Sequence, residues 1–295
     1  MHVGMAAVFQ NTGRAISDRQ VYLNELALAD MAEPLGFESI WSVEHHFTDY
    51  TMCPDVVQFL SYMAGRTRTV KLGSMVVVLP WHDPMRVAEQ ISMLDQLSGG
   101  RLIFGVGRSG FAHTYATYGV DYGESRERFT ETLEIVKRCF SEERFSHKGK
   151  YFTFDNVRLA PRPLQTPWPE IRIAAASPDT YEEVGTMGHP IFVAARVGNL
   201  SELAPLVKVY RAAWKKAGHP GTGQVFLRVP VYVAATDEAA REEPRESILH
   251  LLHTLGARLA QSAGAQGTRA IENRAARGAK MQNIDYEEVL RERMS

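Results

Sequence analysis

No stretch of this sequence is apolar for long enough to cross a membrane. The run SMVVVLPW (74–81) is among the longest, far short of the roughly 20 residues that a span needs. Cysteine is nearly absent. The two present, Cys53 and Cys139, lie far apart and form no C-x-x-C. That excludes a disulfide scaffold and a zinc ribbon, and reads as two reduced thiols in a cytoplasmic protein. Charge of one sign is not in excess: 33 Lys+Arg face 34 Asp+Glu, for a formal net charge of −1. Electrostatic binding to nucleic acid or to an anionic membrane is therefore not expected. No basic segment precedes the apolar run of MHVGMAAVFQNTGR, so the N-terminus does not read as a signal peptide. Repeats and low-complexity linkers are also missing. What remains is 295 residues, 45% hydrophobic and 23% charged, ample material for a large globular core.

Short apolar runs alternate with longer amphipathic segments. HVGMAAVF (2–9), SIWSVE (39–44), TVKLGSMVVVL (69–79) and RLIFGVG (101–107) read as strands. The third is a continuous β-branched run, as expected of a strand buried on both faces. Between them, segments 18–37, 55–67, 84–100 and 124–140 carry apolar residues at three- and four-residue spacing and read as helices. Pro84 near the start of one and Gly99–Gly100 after it mark its ends. The proline-rich stretch 146–170 reads as an excursion. The rhythm then resumes with IRIAAA, a helix over 178–187, PIFVAA, a helix over 201–217, FLRVPVYVAA and a long helix over about 237–262. A polar helical tail at about 263–295 follows, broken by GAQG. Strand–helix alternation at this spacing implies parallel strands with helical crossovers. Seven such units exceed the usual five or six of a doubly wound sheet, which favours a TIM-type (β/α) barrel in a single domain over 1–295. In such a barrel the chemistry sits beyond the C-terminal ends of the strands.

The loops at those ends carry the unusual residues. The second strand runs into Glu44-His45-His46. One reading makes the pair one packed and one exposed imidazole; the other makes it a functional site. A metal site is not expected, because H-E-x-x-H is missing and no second ligand cluster completes one; His82 could contribute. The fourth strand ends in Gly105-Val106-Gly107-Arg108-Ser109-Gly110, which spells G-x-G-x-x-G. A dinucleotide fingerprint should open a helix at once, but FAHTYATYGVDYG intervenes before the helix at about 124. The glycines read instead as a tight turn beside a ligand, with Arg108 suited to a phosphate. An ion-paired surface arginine is the competing reading. After the fifth strand, Ser177-Pro178-Asp179 reads as a helix start, either an ordinary N-cap or an anion site.

Four stretches, LGFESIWSVEHHFTDY, LGSMVVVLPWHDPMRVAEQISMLDQLSGGRLIFGVGRSG, YGVDYGESRERFTETLEIV and IRIAAASPDTYEEVGTMGHPIF, resemble the bacterial-luciferase-like flavin-dependent monooxygenases. The likeness runs over about 1–260, and the block 70–108 is the most specific. The resemblance implies a (β/α)₈ barrel binding reduced FMN, or in some branches a deazaflavin, at the C-terminal strand ends. It implies that His45 is the catalytic histidine beside the reacting edge of the flavin, with Glu44 in the same cofactor site. It implies that Arg108 and Arg126 hold the FMN phosphate, with Ala175 and Ser177 in a further loop meeting it. Met75 and Val76 match a pair beneath the ring that several members join by a non-prolyl cis peptide.

Departures carry their own expectations. Gly107 stands where luciferase has a cysteine, which argues against light emission, and Thr114 replaces an acid. The family's eighth strand and helix are not visible, so the eighth β/α unit is expected to be missing from this chain. No NAD(P)H fingerprint is present, so a separate flavin reductase is expected to supply reduced FMN. A homo- or heterodimer is expected. A deazaflavin-dependent oxidoreductase and a non-catalytic flavin-binding partner subunit are the alternatives. The aromatic residues Trp81, Phe111, Tyr115 and Tyr118 are candidates for an apolar pocket, and the substrate is left open.

Overall fold

A computed structural model describes residues 2–194, 200–261, 276 and 278–293. These fall into two compact units. The first holds residues up to 109 together with 114–174, and the second holds 110–113 and the residues after 174.

The first unit is built on a parallel sheet. Its strands are β1 (Gly4–Ala7), β2 (Ser39–Ser42), β3 (Lys71–Ser74), β4 (Val77–Val78), β5 (Leu102–Gly107) and β8 (Glu170–Ala174). β1 pairs with β2, β2 with β3, β3 and β4 both with β5, and β5 with β8, all parallel. Helices α1 (Asp18–Asp30), α2 (Val56–Arg66), α3 (Pro84–Ser98), the short α4 (Ala112–Thr117) and α5 (Ser125–Ser141) connect them. Every residue of β2 and β5 is buried, as expected of parallel strands covered on both faces.

Local signals set the helix ends. Asp83 caps α3, accepting from the N–H groups of Met85 and Arg86, and Gly99 closes it in the left-handed conformation. Ser17 and Asp55 cap α1 and α2 in the same way.

The excursion is an antiparallel hairpin, β6 (Phe145–Lys148) with β7 (Thr153–Val157), followed by an irregular return. Glu131 on α5 secures the hairpin by accepting the N–H groups of Lys150, Tyr151 and Phe152. Asp95 on α3 secures the return, taking the N–H groups of Leu164 and Gln165 and the Gln165 amide.

The second unit holds α6 (Pro178–Met187), β9 (Ile191–Ala194), α7 (Leu200–Lys216), β10 (Val225–Arg228), α8 (Asp237–Glu242), α9 (Arg245–Gln261) and a last helix over Tyr286–Arg293. β9 and β10 pair in parallel. Among the described residues the parallel strands thus occupy seven positions, β3 and β4 sharing one. The described residues include no helix long and apolar enough to cross a membrane.

The elements differ from the sequence expectation in three instructive places. The run 69–79 is two strands, not one. The peptide between Met75 and Val76 is cis. Gly73 faces Ile103 and Val77 faces Val106, so this position carries one more residue than β5 over the same interval. The Met75 N–H still makes the next rung of the β2–β3 ladder, to the Ser42 carbonyl. The strand read over 226–235 ends at Arg228, because Pro230 has no N–H for a ladder. The helix read over 237–262 is two helices parted at Pro244, which cannot continue a helical ladder. Of the tail, GAQG lies outside the described residues.

Two glycines of the G-x-G-x-x-G run lie inside β5. A Cβ on Gly105 would sit 1.8 Å from the Ser74 carbonyl oxygen, and one on Gly107 would sit 2.7 Å from Val76 Cγ2. They are strand-contact glycines. Gly105→Ala is therefore expected to destabilise the protein by about 1–3 kcal/mol through overpacking. Gly65→Ala, at an exposed position of helix α2 with nothing within 4 Å of the new methyl, is expected to stabilise by about 0.5 kcal/mol. Urea unfolding of the two variants checks the pair; equal effects would show that Gly105 has no packing role.

Candidate active site

β2 delivers Glu44 two residues past its end, into a buried position with its side chain 2% exposed. A buried carboxylate must be matched by donors, and three converge on it. Oε2 accepts the backbone N–H of Val78 at 2.7 Å. Oε1 lies 2.9 Å from His46 Nε2 and 2.6 Å from His82 Nε2. Each donor comes from a different feature of the chain. Val78 belongs to β4, beyond the cis peptide. His82 sits immediately ahead of the Asp83 cap of α3. His46 follows Glu44 in the same turn.

The electrostatics follow from this arrangement. Burial pushes the Glu44 carboxyl up. The His82 charge, the hydrogen bonds from His46 and His82, and the Val78 N–H outweigh that effect and hold it at about 2. For His82 burial acts downward, but the Glu44 charge and hydrogen bond, with a smaller contribution from Asp55, leave the imidazole above its ordinary value. An ionised Glu44 needs N–H donors at both Nε2 positions.

An aromatic wall surrounds His46. Its ring lies 5.2 Å from Trp81 and 5.1 Å from Tyr118, both edge-on, and 5.9 Å from Phe47. Trp81 and Tyr115 are 5.3 Å apart, and Tyr115 donates its hydroxyl to the Arg108 carbonyl.

His45 points elsewhere. Its N–H donates to the Cys53 carbonyl, and its half-buried ring meets Tyr50 edge-on at 5.4 Å. The nearby Cys53 is pushed up to about 12 by burial, so it is no nucleophile at neutral pH. Met75 is buried beside β3, and Val76 packs where Gly107 lacks a side chain. Arg108 follows β5 directly, and Arg126 is the second residue of α5; both are half-buried.

In the second unit Ala175 and Ser177 are buried just beyond β8. Ser177 is the N-cap of α6, but its hydroxyl bonds Thr180 Oγ1 at 2.8 Å rather than a helix N–H. Among the described residues no group of three or more His, Cys, Asp or Glu could hold a metal ion.

The structure thus brings Glu44 together with His46 and His82, only the first of which the sequence singled out as a site residue. His82 had one available signal, its place in a loop after a strand. The partnership of Tyr118 with His46 had none.

The model of the luciferase-like monooxygenase family matches residues 1–293. The chain belongs to this family. It is 30% identical over 251 residues to limonene 1,2-monooxygenase of Rhodococcus erythropolis, covering 82% of this chain and 63% of that one. It is 28% identical over 232 residues to the oxygenase component of flavin-dependent trigonelline monooxygenase of Acinetobacter baylyi, covering 78% and 64%. The chain thus spans less than two thirds of the length of either relative.

Among solved structures, monooxygenase RslO1 from Streptomyces bottropensis superposes with a TM-score of 0.78 at 27% identity, covering 99% and 96% of the two chains. The oxygenating constituent of 3,6-diketocamphane monooxygenase of Pseudomonas putida, in complex with FMN, gives 0.80 at 20%, covering 99% and 84%. An F420-dependent secondary alcohol dehydrogenase gives 0.74 at 15%, with the same coverage. These likenesses assign the α/β, TIM-type barrel class.

Glu44→Gln is expected to cost about 1.5–3 kcal/mol, because the amide must turn an NH₂ group against either two imidazole donors or the Val78 N–H. The pH dependence has two limbs. The contribution of Glu44 is complete above its ordinary value of 4.5 and is lost as pH falls toward about 2. That of His82 is complete below 6.5 and is lost as pH rises through its higher folded value. Urea midpoints across pH should show an alkaline limb that His82→Gln removes; its persistence in that variant would assign the limb to another group.

Proposed function

We propose that the protein is the oxygenase of a flavin-dependent monooxygenase that uses reduced FMN and O₂ to oxygenate a small organic substrate, with a separate reductase supplying the reduced flavin. The observation that supports this most is the gathering of Glu44 with its two imidazoles, the Met75–Val76 pair and Arg108 at the C-terminal ends of adjacent strands of one sheet. The oxygenase-component name of the A. baylyi relative supports the separate reductase.

The side chains suit FMN. Arg108 and Arg126 offer guanidinium groups to a phosphate, with the fork geometry that phosphate oxygens accept. Val76, half-buried beside the bare face of Gly107, offers an apolar support to a planar ring. Reduced flavin, when bound, supplies the electrons that activate oxygen.

The chain's own residues have three tasks. The arginines bind the phosphate and so fix the ring. Trp81, Tyr115 and Tyr118 exclude water. His45 takes or returns a proton at the reacting edge of the ring. Glu44 acts from behind, holding the turn that carries His45.

Arg108→Ala and Arg126→Ala are each expected to weaken FMN binding by about 1.5–3 kcal/mol while leaving riboflavin binding unchanged. Titrations followed by flavin fluorescence check this; equal losses for both ligands would remove the phosphate role, and tighter binding of a deazaflavin than of FMN would overturn the cofactor assignment. His45→Ala is expected to keep FMN affinity but to lose coupled oxygenation, by about a hundred- to ten-thousand-fold in rate. The reading is hydrogen peroxide released per reduced flavin consumed, in wild type and variant, with any accepted substrate present. Full coupling in the variant would return His45 to a packing role.

A further inference from the structure

The turn that follows Glu44 is held in an unfavourable shape. Phe47 has φ of 54°, in the left-handed region that a bulky side chain rarely occupies. It is also exposed, at 58%, so burial of its own side chain does not explain the conformation. Something must secure the residue before it.

His46 is gripped on both ring nitrogens. Nε2 meets Glu44, as described above, and Nδ1 lies 2.8 Å from the Tyr118 hydroxyl. The donor assignment follows by elimination. Glu44 is ionised, so Nε2 carries the proton; in the neutral ring Nδ1 is then a lone pair, and the phenol must donate to it. Tyr118 also places its ring 5.6 Å from Phe47 and 6.0 Å from Trp81.

We propose that Tyr118 is a positioning residue: its hydroxyl orients the His46 ring on Glu44, and this clasp holds the 44–47 turn from which His45 acts. The inference rests on the flavin reading for its catalytic consequence, but the contact itself can be read without flavin. Around the clasp, Glu44 also holds His82 at Oε1, and Phe47 and Trp81 flank the His46 ring.

The test uses Tyr118→Phe, which keeps the aromatic wall and removes only the hydroxyl, and Tyr118→Ala, which removes both. In the whole protein without flavin, with wild type and variants at one fixed pH, long-range ¹H–¹⁵N spectra read each imidazole nitrogen. The wild type should show His46 protonated at Nε2, with a hydrogen-bonded lone pair at Nδ1. Tyr118→Phe should move the Nδ1 signal to that of an unbonded lone pair. With reduced FMN, oxygen and an accepted substrate present, the same variant should release several-fold more hydrogen peroxide per flavin at unchanged FMN affinity, and Tyr118→Ala more still. An Nδ1 signal that is identical in wild type and Tyr118→Phe would overturn the proposal, as would unchanged coupling once the signal has moved. If the wild type bound no FMN, the flavin reading would fail by itself, and the nitrogen spectrum would still decide the clasp.

Discussion

A carboxylate sealed from water governs this site. Glu44 cannot stay ionised in its buried position unless its oxygens are filled, and the chain fills them from three separate segments. Each of those segments is committed by the requirement. The turn after β2 must bend back so that His46 reaches Oε1. β4 must begin where the Val78 N–H faces Oε2. The start of α3 must leave His82 in range before the helix begins. Removing any one donor would leave a buried acceptor short, which costs more than the hydrogen bond contributes.

Sheet geometry makes this convergence possible. β3 and β5 approach so closely at Gly105 that a single methyl would strike the Ser74 backbone. The Ser74 hydroxyl bonds both the N–H and the carbonyl of Gly105, bridging the two strands. Just beyond, the extra residue at Met75–Val76 shifts the register and brings Val78 toward Glu44. The glycine run after the fourth strand, which resembles a nucleotide fingerprint, is thus a consequence of strands packed against one another. Its arginine stands at the strand end, where a ligand phosphate would need it.

Much of the first unit was legible in the sequence because its signals are local. Hydrophobic periodicity marked the helices, Asp83-Pro84 and Gly99 marked the ends of α3, and the apolar run 102–107 marked a strand. The boundaries went astray where a long-range partner decided them. The run 69–79 looks continuous because every residue in it suits a strand, yet its break is set by what Ser42 and β5 require of Met75 and Val77. The run 226–235 looks continuous for the same reason, and there the missing N–H of Pro230 ends the pairing.

The family and the barrel class were determined by the sequence alone, since the motifs of 35–50 and 70–108 and the strand–helix rhythm are written in neighbouring residues. So was the placing of Glu44, His45 and Arg108 at strand ends, because that follows from where each apolar run stops. Which imidazole serves Glu44 was decided only in three dimensions. His45 and His46 are adjacent and chemically identical, and one-residue alternation along an extended chain sends them to opposite sides. The side that holds the carboxylate is known only once β4, the start of α3 and Tyr118 have been brought around it. Those segments lie 33 to 74 residues away from Glu44 along the chain, and hydrogen bonds at that separation leave no periodic trace for a sequence to display.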